Sequence, residues 1–379
     1  MGTAVKIPAQ WPRLIEVVQH PETILGLQGP GWDDLLLGLR GNGLFPMAYR
    51  SLKESGCLGR LGPGPRAEVE QAMVNYRAGW AAAWEEIDRL LAAFVGLGLH
   101  PIPLKGADLS IRTYPEPHLR PLTDLDVLFP TLEEADRAYD LLGELGYRYE
   151  GLGIEGDPWA LCHQRSAVEH SSSKFIVEVH GALVWAPKDD RWTGGACHLV
   201  EGREAFVYKG LPLEGLAPEA NVVFLCAHMF LQHAIALQKA MVLFDLRFVV
   251  ERAGERFDWD RVLSLARVAR FQTPVYEGLT LAKNLLGVPV PDGTMDALAA
   301  EAEVKELPPE AWVAQGALRQ VAHAAGVWGS ARMAWNYLFP SHAFLRVRYP
   351  ERGRWPVWLL YPYRWWDQAG KVVKWARAR

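Results

Sequence analysis

Cysteine is scarce in this sequence: Cys57, Cys162, Cys197 and Cys226 are the only four in 379 residues. None forms a Cys-x-x-Cys pair or sits among histidines at metal-ligand spacing. This excludes a zinc-finger type of site and a disulfide framework, and leaves reduced, mostly buried thiols. No run reaches the roughly 18 uninterrupted apolar residues that a membrane-spanning helix requires. The first residues, Met1-Gly-Thr-Ala-Val-Lys-Ile-Pro, hold no apolar signal core, so a cytoplasmic protein without a membrane span is expected. Positive charge is not in excess either. Forty Lys and Arg against 44 Asp and Glu give a net charge of −4, whereas nucleic-acid binders usually show a basic domain or stripe. A local basic patch stays open. Internal repeats and low-complexity linkers are missing as well.

What is present is the composition of a packed protein, 50% hydrophobic and 22% charged, too apolar for a disordered chain. At ~100–200 residues per domain the length suggests two or three regions. Residues 1–98 read as a helical region, with apolar positions every three or four residues, breaks at Gly29-Pro30 and Gly62-Pro63-Gly64-Pro65, and one long helix over Ala67–Phe94. Residues 99–215 read as an α/β core. Short strands are expected at Pro101–Leu104, Leu125–Phe129, Tyr147–Glu150, Lys174–His180 and Ala205–Lys209, with a helix over Leu132–Leu145 that stops at Gly146. Residues 216–379 return to helical spacing in Ala220–Arg252, Trp259–Ala269, Thr273–Leu286 and Glu310–Ala325. The fold class expected is α+β: a central mixed sheet with flanking helices, framed by N-terminal and C-terminal helical regions.

The chemistry is concentrated in Pro103-Leu-Lys-Gly-Ala-Asp-Leu-Ser and Leu119-Arg-Pro-Leu-Thr-Asp-Leu-Asp-Val-Leu-Phe. In a strand, alternation sends Asp124 and Asp126 to one face and Leu125, Val127 and Phe129 to the other. Two carboxylates about 7 Å apart along a strand can hold hard cations between them, and both are expected to face solvent. In Lys174-Phe-Ile-Val-Glu-Val-His-Gly the same alternation puts Glu178 and His180 opposite Phe175, Val177 and Val179, which makes Glu178 the candidate third acid. Gly106, lacking a Cβ, would let the backbone approach a phosphate at the start of a helix. Arg120 offers a rigid fork and Lys105 a point charge for a triphosphate. Taken alone, an Asp-x-Asp is most often a solvated strand edge and a Lys-Gly only a turn.

Taken in order, the elements resemble the uncharacterised nucleotidyltransferase family of bacteria, a branch of the DNA polymerase β-like superfamily. The resemblance rests on Leu104-Lys105-Gly106, Tyr114, Arg120-Pro121-Leu122-Thr123-Asp124-Leu125-Asp126-Val127-Leu128 and Glu178-Val179-His180. It continues more loosely in Leu225-Cys-Ala-His-Met-Phe-Leu-Gln-His and Leu243-Phe-Asp-Leu-Arg-Phe. The wider superfamily has Gly-Ser where this chain has Gly106-Ala107, which removes a hydroxyl, and its third acid is more often Asp than Glu.

The resemblance implies a nucleotidyltransferase that moves an NMP group from an NTP to an acceptor hydroxyl with release of pyrophosphate. It implies two Mg2+ ions, with Mn2+ as an alternative, on Asp124, Asp126 and Glu178, and a nucleotide held by Lys105, Gly106, Ala107 and Arg120. His180 is a candidate to orient a metal-bound carboxylate. His228 and Asp245 could line the pocket, or make hydrogen-bonded core contacts; His228 and His233, about 140° apart on a helix, are not a metal pair. No motif specifies the base, the acceptor or the oligomeric state, although the charge favours a small molecule, peptide or protein over nucleic acid. Two other readings are a catalytically inactive nucleotide-binding regulatory module and an interaction protein recruited through the Trp- and Arg-rich C-terminus. That terminus can rest on a membrane or nucleic acid as a basic amphipathic helix, or simply pack its aromatics on the domain surface.

Overall fold

The computed structural model describes residues 7–148, 164–165, 167–183, 197–232, 239–302 and 355–377, with isolated positions between 335 and 352. The chain opens with helices α1 (Trp11–Gln19), α2 (Pro30–Gly41), α3 (Phe45–Glu54) and α4 (Pro63–Gly96). Each has proline in its first turn, where the missing N–H has no intrahelical partner to lose. The long helix expected over Ala67–Phe94 is α4.

Five strands follow: β1 (Ile102–Pro103), β2 (Asp124–Leu128), β3 (Tyr147–Arg148), β4 (Val168–His170) and β5 (Ile176–His180). Helix α5 (Lys105–Arg112) lies between β1 and β2, and α6 (Leu132–Glu144) between β2 and β3. The sheet runs in the order β1-β2-β5-β4-β3. Among the described strands only β2 and β5 pair in parallel; the other pairs are antiparallel. Thr131 caps α6 by accepting from the Glu134 amide, and Gly146 takes a positive φ of 92° just beyond its end, the stop that its sequence position suggested. A separate hairpin pairs β6 (Glu204–Tyr208) with β7 (Leu211–Gly215), preceded by the one-turn α7 (His198–Glu201). Strands β4 and β7 were not expected; three residues are too few to show alternation, and Pro212 masks β7.

The remaining helices are α8 (Pro218–Ala227), α9 (Met241–Ala253), α10 (Trp259–Ala269), α11 (Gln272–Leu286), α12 (Asp292–Glu301) and α13 (Val357–Arg377). The single run expected over Ala220–Arg252 is instead α8, a π-turn over His228–Gln232, and α9. Helix α8 buries every residue from Glu219 to Ala227, so it is apolar all round and its periodicity cannot mark where it ends. The helix expected over Glu310–Ala325, His233 and Cys162 lie outside the described residues. Cys57 and Cys226 are buried free thiols, and Cys197 is exposed.

Two hydrophobic clusters sandwich the sheet. On one face Leu125, Val127, Phe129, Val177 and Val179 pack against Ile87, Leu90 and Phe94 of α4 and Ala135, Ala138 and Leu142 of α6. On the other, Ile102, Leu104 and Leu128 join a cluster that runs from Trp11 and Leu36 in the N-terminal helices to Phe224, Leu243 and Leu279 in the C-terminal ones. Polar anchors fix α5 in this layer. Asp108, 1% exposed, accepts from Arg112 Nε at 2.6 Å and Nη2 at 3.0 Å and from Asn221 Nδ2 at 3.0 Å, while Arg112 also reaches the Leu216 carbonyl at 2.6 Å. Asp108→Ala would remove the buried carboxylate partner of Arg112, leaving its guanidinium only the Leu216 carbonyl and the exposed Glu204 Oε2 at 3.4 Å. Urea unfolding should show a loss of about 3–5 kcal/mol, against less than about 0.5 kcal/mol for Glu54→Ala, which breaks the exposed Arg50–Glu54 pair.

Candidate active site

The register of the parallel pair assembles the site. Asp124 lies beside Ile176, Asp126 beside Glu178 and Leu128 beside His180. Because side chains alternate, Asp124, Asp126, Glu178 and His180 all rise from the sheet face opposite the Val127 and Val179 cluster. One oxygen of Asp126, one of Glu178 and one ring nitrogen of His180 lie within 4.8 Å of one another, a hard-oxygen and imidazole set that suits a divalent cation.

Asp126 is the hub. It is 5% exposed, so it does not face solvent as the strand pattern suggested: Lys105 Nζ donates to its Oδ1 at 2.8 Å, and His180 Nε2 stands 3.0 Å from the same atom. Glu178 Oε2 is 3.8 Å from His180 Nε2. Asp124, at the strand's open end, is half-buried and takes a 3.3 Å hydrogen bond from Thr123 Oγ1. Lys105 adopts a left-handed φ of 44° at the first position of α5, a conformation that costs a side chain of roughly 1–2 kcal/mol and here brings its ammonium onto the carboxylate.

Electrostatics divide the three acids. Burial alone would raise the Asp126 carboxyl, but Lys105 and His180 outweigh it and hold it well below the usual range. Burial, then the Asp126 charge, pushes Glu178 up to about 7. The same two causes raise Asp124, against Lys105 and Arg120, which pull it down. His180 is lowered by burial despite its bond to Asp126. Without a cation, then, the cluster settles as one ion pair beside two carboxyls that ionise reluctantly. Charge crowding of this kind is what a divalent cation relieves, so the donor set fits one.

The other expected residues are placed differently. The Arg120 fork is engaged by Asp245, with Nε to Oδ1 at 2.8 Å and Nη2 to Oδ2 at 2.9 Å, and Tyr114 OH donates to Asp245 Oδ1 at 2.7 Å. Asp245 is 1% exposed, so it is a hydrogen-bonded interior contact between α9 and the segment before β2. A Cβ on Gly106 would come within 2.5 Å of Leu122 Cδ2 and 3.3 Å of Arg120 Nη1, so any side chain there would displace Leu122. Ala107 is buried in the cluster beneath the sheet. The His228 ring opens the π-turn, 6.2 Å from that of Phe224. Two cavities, about 600 Å³ beside Phe257 and Thr294 and about 500 Å³ beside Leu99 and Phe206, have no wall in the carboxylate cluster. The Lys105–Asp126 pair and the Tyr114–Asp245–Arg120 contact escaped the sequence reading, because they join side chains 21, 131 and 125 positions apart that no local period links.

Glu178 gives the site a pH signature. Its folded carboxyl titrates near 7, above the 4.5 of the free side chain, so the folded state holds a proton that the unfolded chain releases. Its stabilisation is complete below about pH 4.5 and is lost as pH rises through about 7. Urea unfolding in EDTA should therefore show the native protein losing stability relative to Glu178→Gln across that window. A constant difference would contradict the assigned shift.

The chain matches the family model described as uncharacterised nucleotidyltransferase over residues 28–287, well over half its length. Comparison with curated proteins gives no match. With the paired strands, the carboxylates and the helices on both sides all inside the matched span, the chain belongs to the uncharacterised nucleotidyltransferase family.

Proposed function

We propose that this protein is a nucleotidyltransferase of the DNA polymerase β-like type, which transfers an NMP group from an NTP to an acceptor hydroxyl and depends on divalent cations. The observation that carries this reading is the β2–β5 register, which gathers Asp126, Glu178 and His180 on one face beside Asp124. In this reading residues 99–215 carry the chemistry and the helical regions 1–98 and 216–379 frame it.

Asp124, Asp126 and Glu178 would hold Mg2+, or Mn2+ in its place. When bound, such ions supply Lewis-acid stabilisation of charge on the phosphoryl oxygens. In the reaction the acceptor oxygen bonds to the α-phosphorus, the α–β bridging P–O bond breaks, and pyrophosphate leaves with the bond's electron pair. Glu178 would serve as a metal ligand or as the base that takes the acceptor's proton. His180 holds Asp126 in place through Nε2. Lys105, the counter-charge of Asp126 in the metal-free cluster, becomes available to the triphosphate once cations neutralise that carboxylate. Arg120, tied down by Asp245, contributes positive potential near Asp124 and steadies the segment that leads into β2. The acceptor class favoured by the acidic chain is a small molecule, peptide or protein.

Thermal unfolding against ATP, GTP, CTP and UTP, each with and without Mg2+, should show a Mg2+-dependent rise with the donor nucleotide, since ligands of the native state alone stabilise it. Asp124→Asn and Asp126→Asn should lose that rise and cut pyrophosphate release by about a hundredfold or more. Because Asp126 is buried against Lys105, the melting temperature of the free variant must be checked alongside; half-buried Asp124 is the gentler substitution. Native turnover by either variant would overturn the proposal, and a nucleotide-induced rise without pyrophosphate release would point to a regulatory module.

A further inference from the structure

The donors gathered most tightly on the β2–β5 face are not the three carboxylates. Among the described residues Asp126, Glu178 and His180 each bring one ligand atom within 4.8 Å of the others, whereas Asp124 joins no such group. The register explains the difference: Asp126 pairs with Glu178, His180 stands two residues further along the same face of β5, and Asp124 lies two residues back, beside Ile176. His180 is fully buried, and its backbone carbonyl accepts from the Phe129 amide at 3.1 Å, which fixes it at the end of the parallel pair. Its Nε2 stands 3.0 Å from Asp126 Oδ1 and 3.8 Å from Glu178 Oε2.

Those separations are the ones that ligands of a common cation keep. Donors ~2.1 Å from one ion stand about 3.0 Å apart at right angles and about 4.2 Å apart when opposed. The ring can therefore share an ion with either carboxylate with little movement, provided its N–H sits on Nδ1 and leaves the Nε2 lone pair inward. Asp126 Oδ1 does not depend on the imidazole for a donor, because Lys105 Nζ reaches the same oxygen at 2.8 Å. That ammonium also shows that this point accepts positive charge. Imidazole nitrogen is a softer donor than carboxylate or water oxygen. Mg2+ takes oxygen and keeps several waters, whereas a nitrogen ligand favours first-row transition ions, increasingly from Mn2+ to Co2+ and Ni2+.

We propose that His180 is a direct ligand, through Nε2, of a divalent cation shared with Asp126 and Glu178, and that its nitrogen makes this centre select Mn2+ over Mg2+. The contact that holds Asp126 in the metal-free protein is then the one that receives the ion. The inference deepens the nucleotidyltransferase reading and rests on it for what the centre does, but not for which atoms form it.

Pulsed EPR of the full-length protein with substoichiometric Mn2+ and no nucleotide tests it. The spectrum should carry the hyperfine coupling of a directly bound nitrogen, and protein labelled with 15N-histidine should show that coupling change with the isotope. The labelling needs no substitution, so it decides the matter even where a variant of this buried residue fails to fold. His180→Gln, with its melting temperature checked, should lose the coupling and weaken Mn2+ binding by about 10- to 100-fold, while Mg2+ binding weakens less. A histidine that only positioned Asp126 would give no nitrogen coupling and would cost both ions alike. Failure of Mn2+ to bind, a native spectrum without histidine nitrogen, coupling that survives in His180→Gln, or equal weakening of both ions would overturn the proposal. Pyrophosphate release with Mg2+ and NTP, followed in parallel, separates the two readings: release without nitrogen coupling removes the ligand and keeps the transferase, and coupling without release does the reverse.

Discussion

The parallel pairing of β2 with β5, in the register that sets Asp126 beside Glu178, governs everything at the candidate site. Parallel neighbours cannot be joined by a tight turn, so the chain must leave β2, cross through α6 and return by β4 before β5 can form. Slippage by one residue would turn Asp126 into the Val177 and Val179 cluster and expose Val127. The apolar face therefore enforces the polar one: Leu125, Val127, Val177 and Val179, each fully buried, hold the register that keeps two carboxylates and an imidazole together.

Gathering acids on a covered sheet face carries an electrostatic cost, and the structure meets it in a graded way. One carboxylate, Asp126, is given a full positive partner in Lys105 and a histidine contact, and stays ionised. Its neighbours have no such partner and shift upward instead. Separated protonation states across adjacent carboxyls are characteristic of sites that must either bind a cation or move a proton. The left-handed backbone at Lys105 belongs to the same solution, since strain is tolerated where surrounding structure over-determines it.

Much of this was legible in the sequence, for a definite reason. Period-two alternation is local, so Asp124, Asp126, Glu178 and His180 could be placed on the polar faces of their strands without knowing how the strands pair. Helix α4 was legible from the sustained pattern over Ala67–Phe94, although Pro63 and Pro65, which open it, read as a break. What stayed hidden was either too short, such as β4 with three residues, or too evenly apolar, such as α8. Long-range polar partnership was hidden too. The sequence offers Lys105 and Arg120 as cations for a triphosphate, yet each finds an acid across the fold, because a buried charge without a partner is far costlier than one with.

That last point separates the residues of the family resemblance into two kinds. Asp124, Asp126, Glu178, His180 and Lys105 converge on one small volume, whereas Tyr114, Arg120 and Asp245 converge on another, interior one. The second group fastens α9 to the segment that leads directly into Asp124, only four positions beyond Arg120. Its guanidinium lies close enough to Asp124 to lower that carboxyl, so the fastener and the acids are electrostatically joined even though no hydrogen bond links them. The C-terminal helices therefore act on the site as a buttress: by pairing Arg120 with Asp245, they fix where the chain enters β2 and hence where its first carboxylate points.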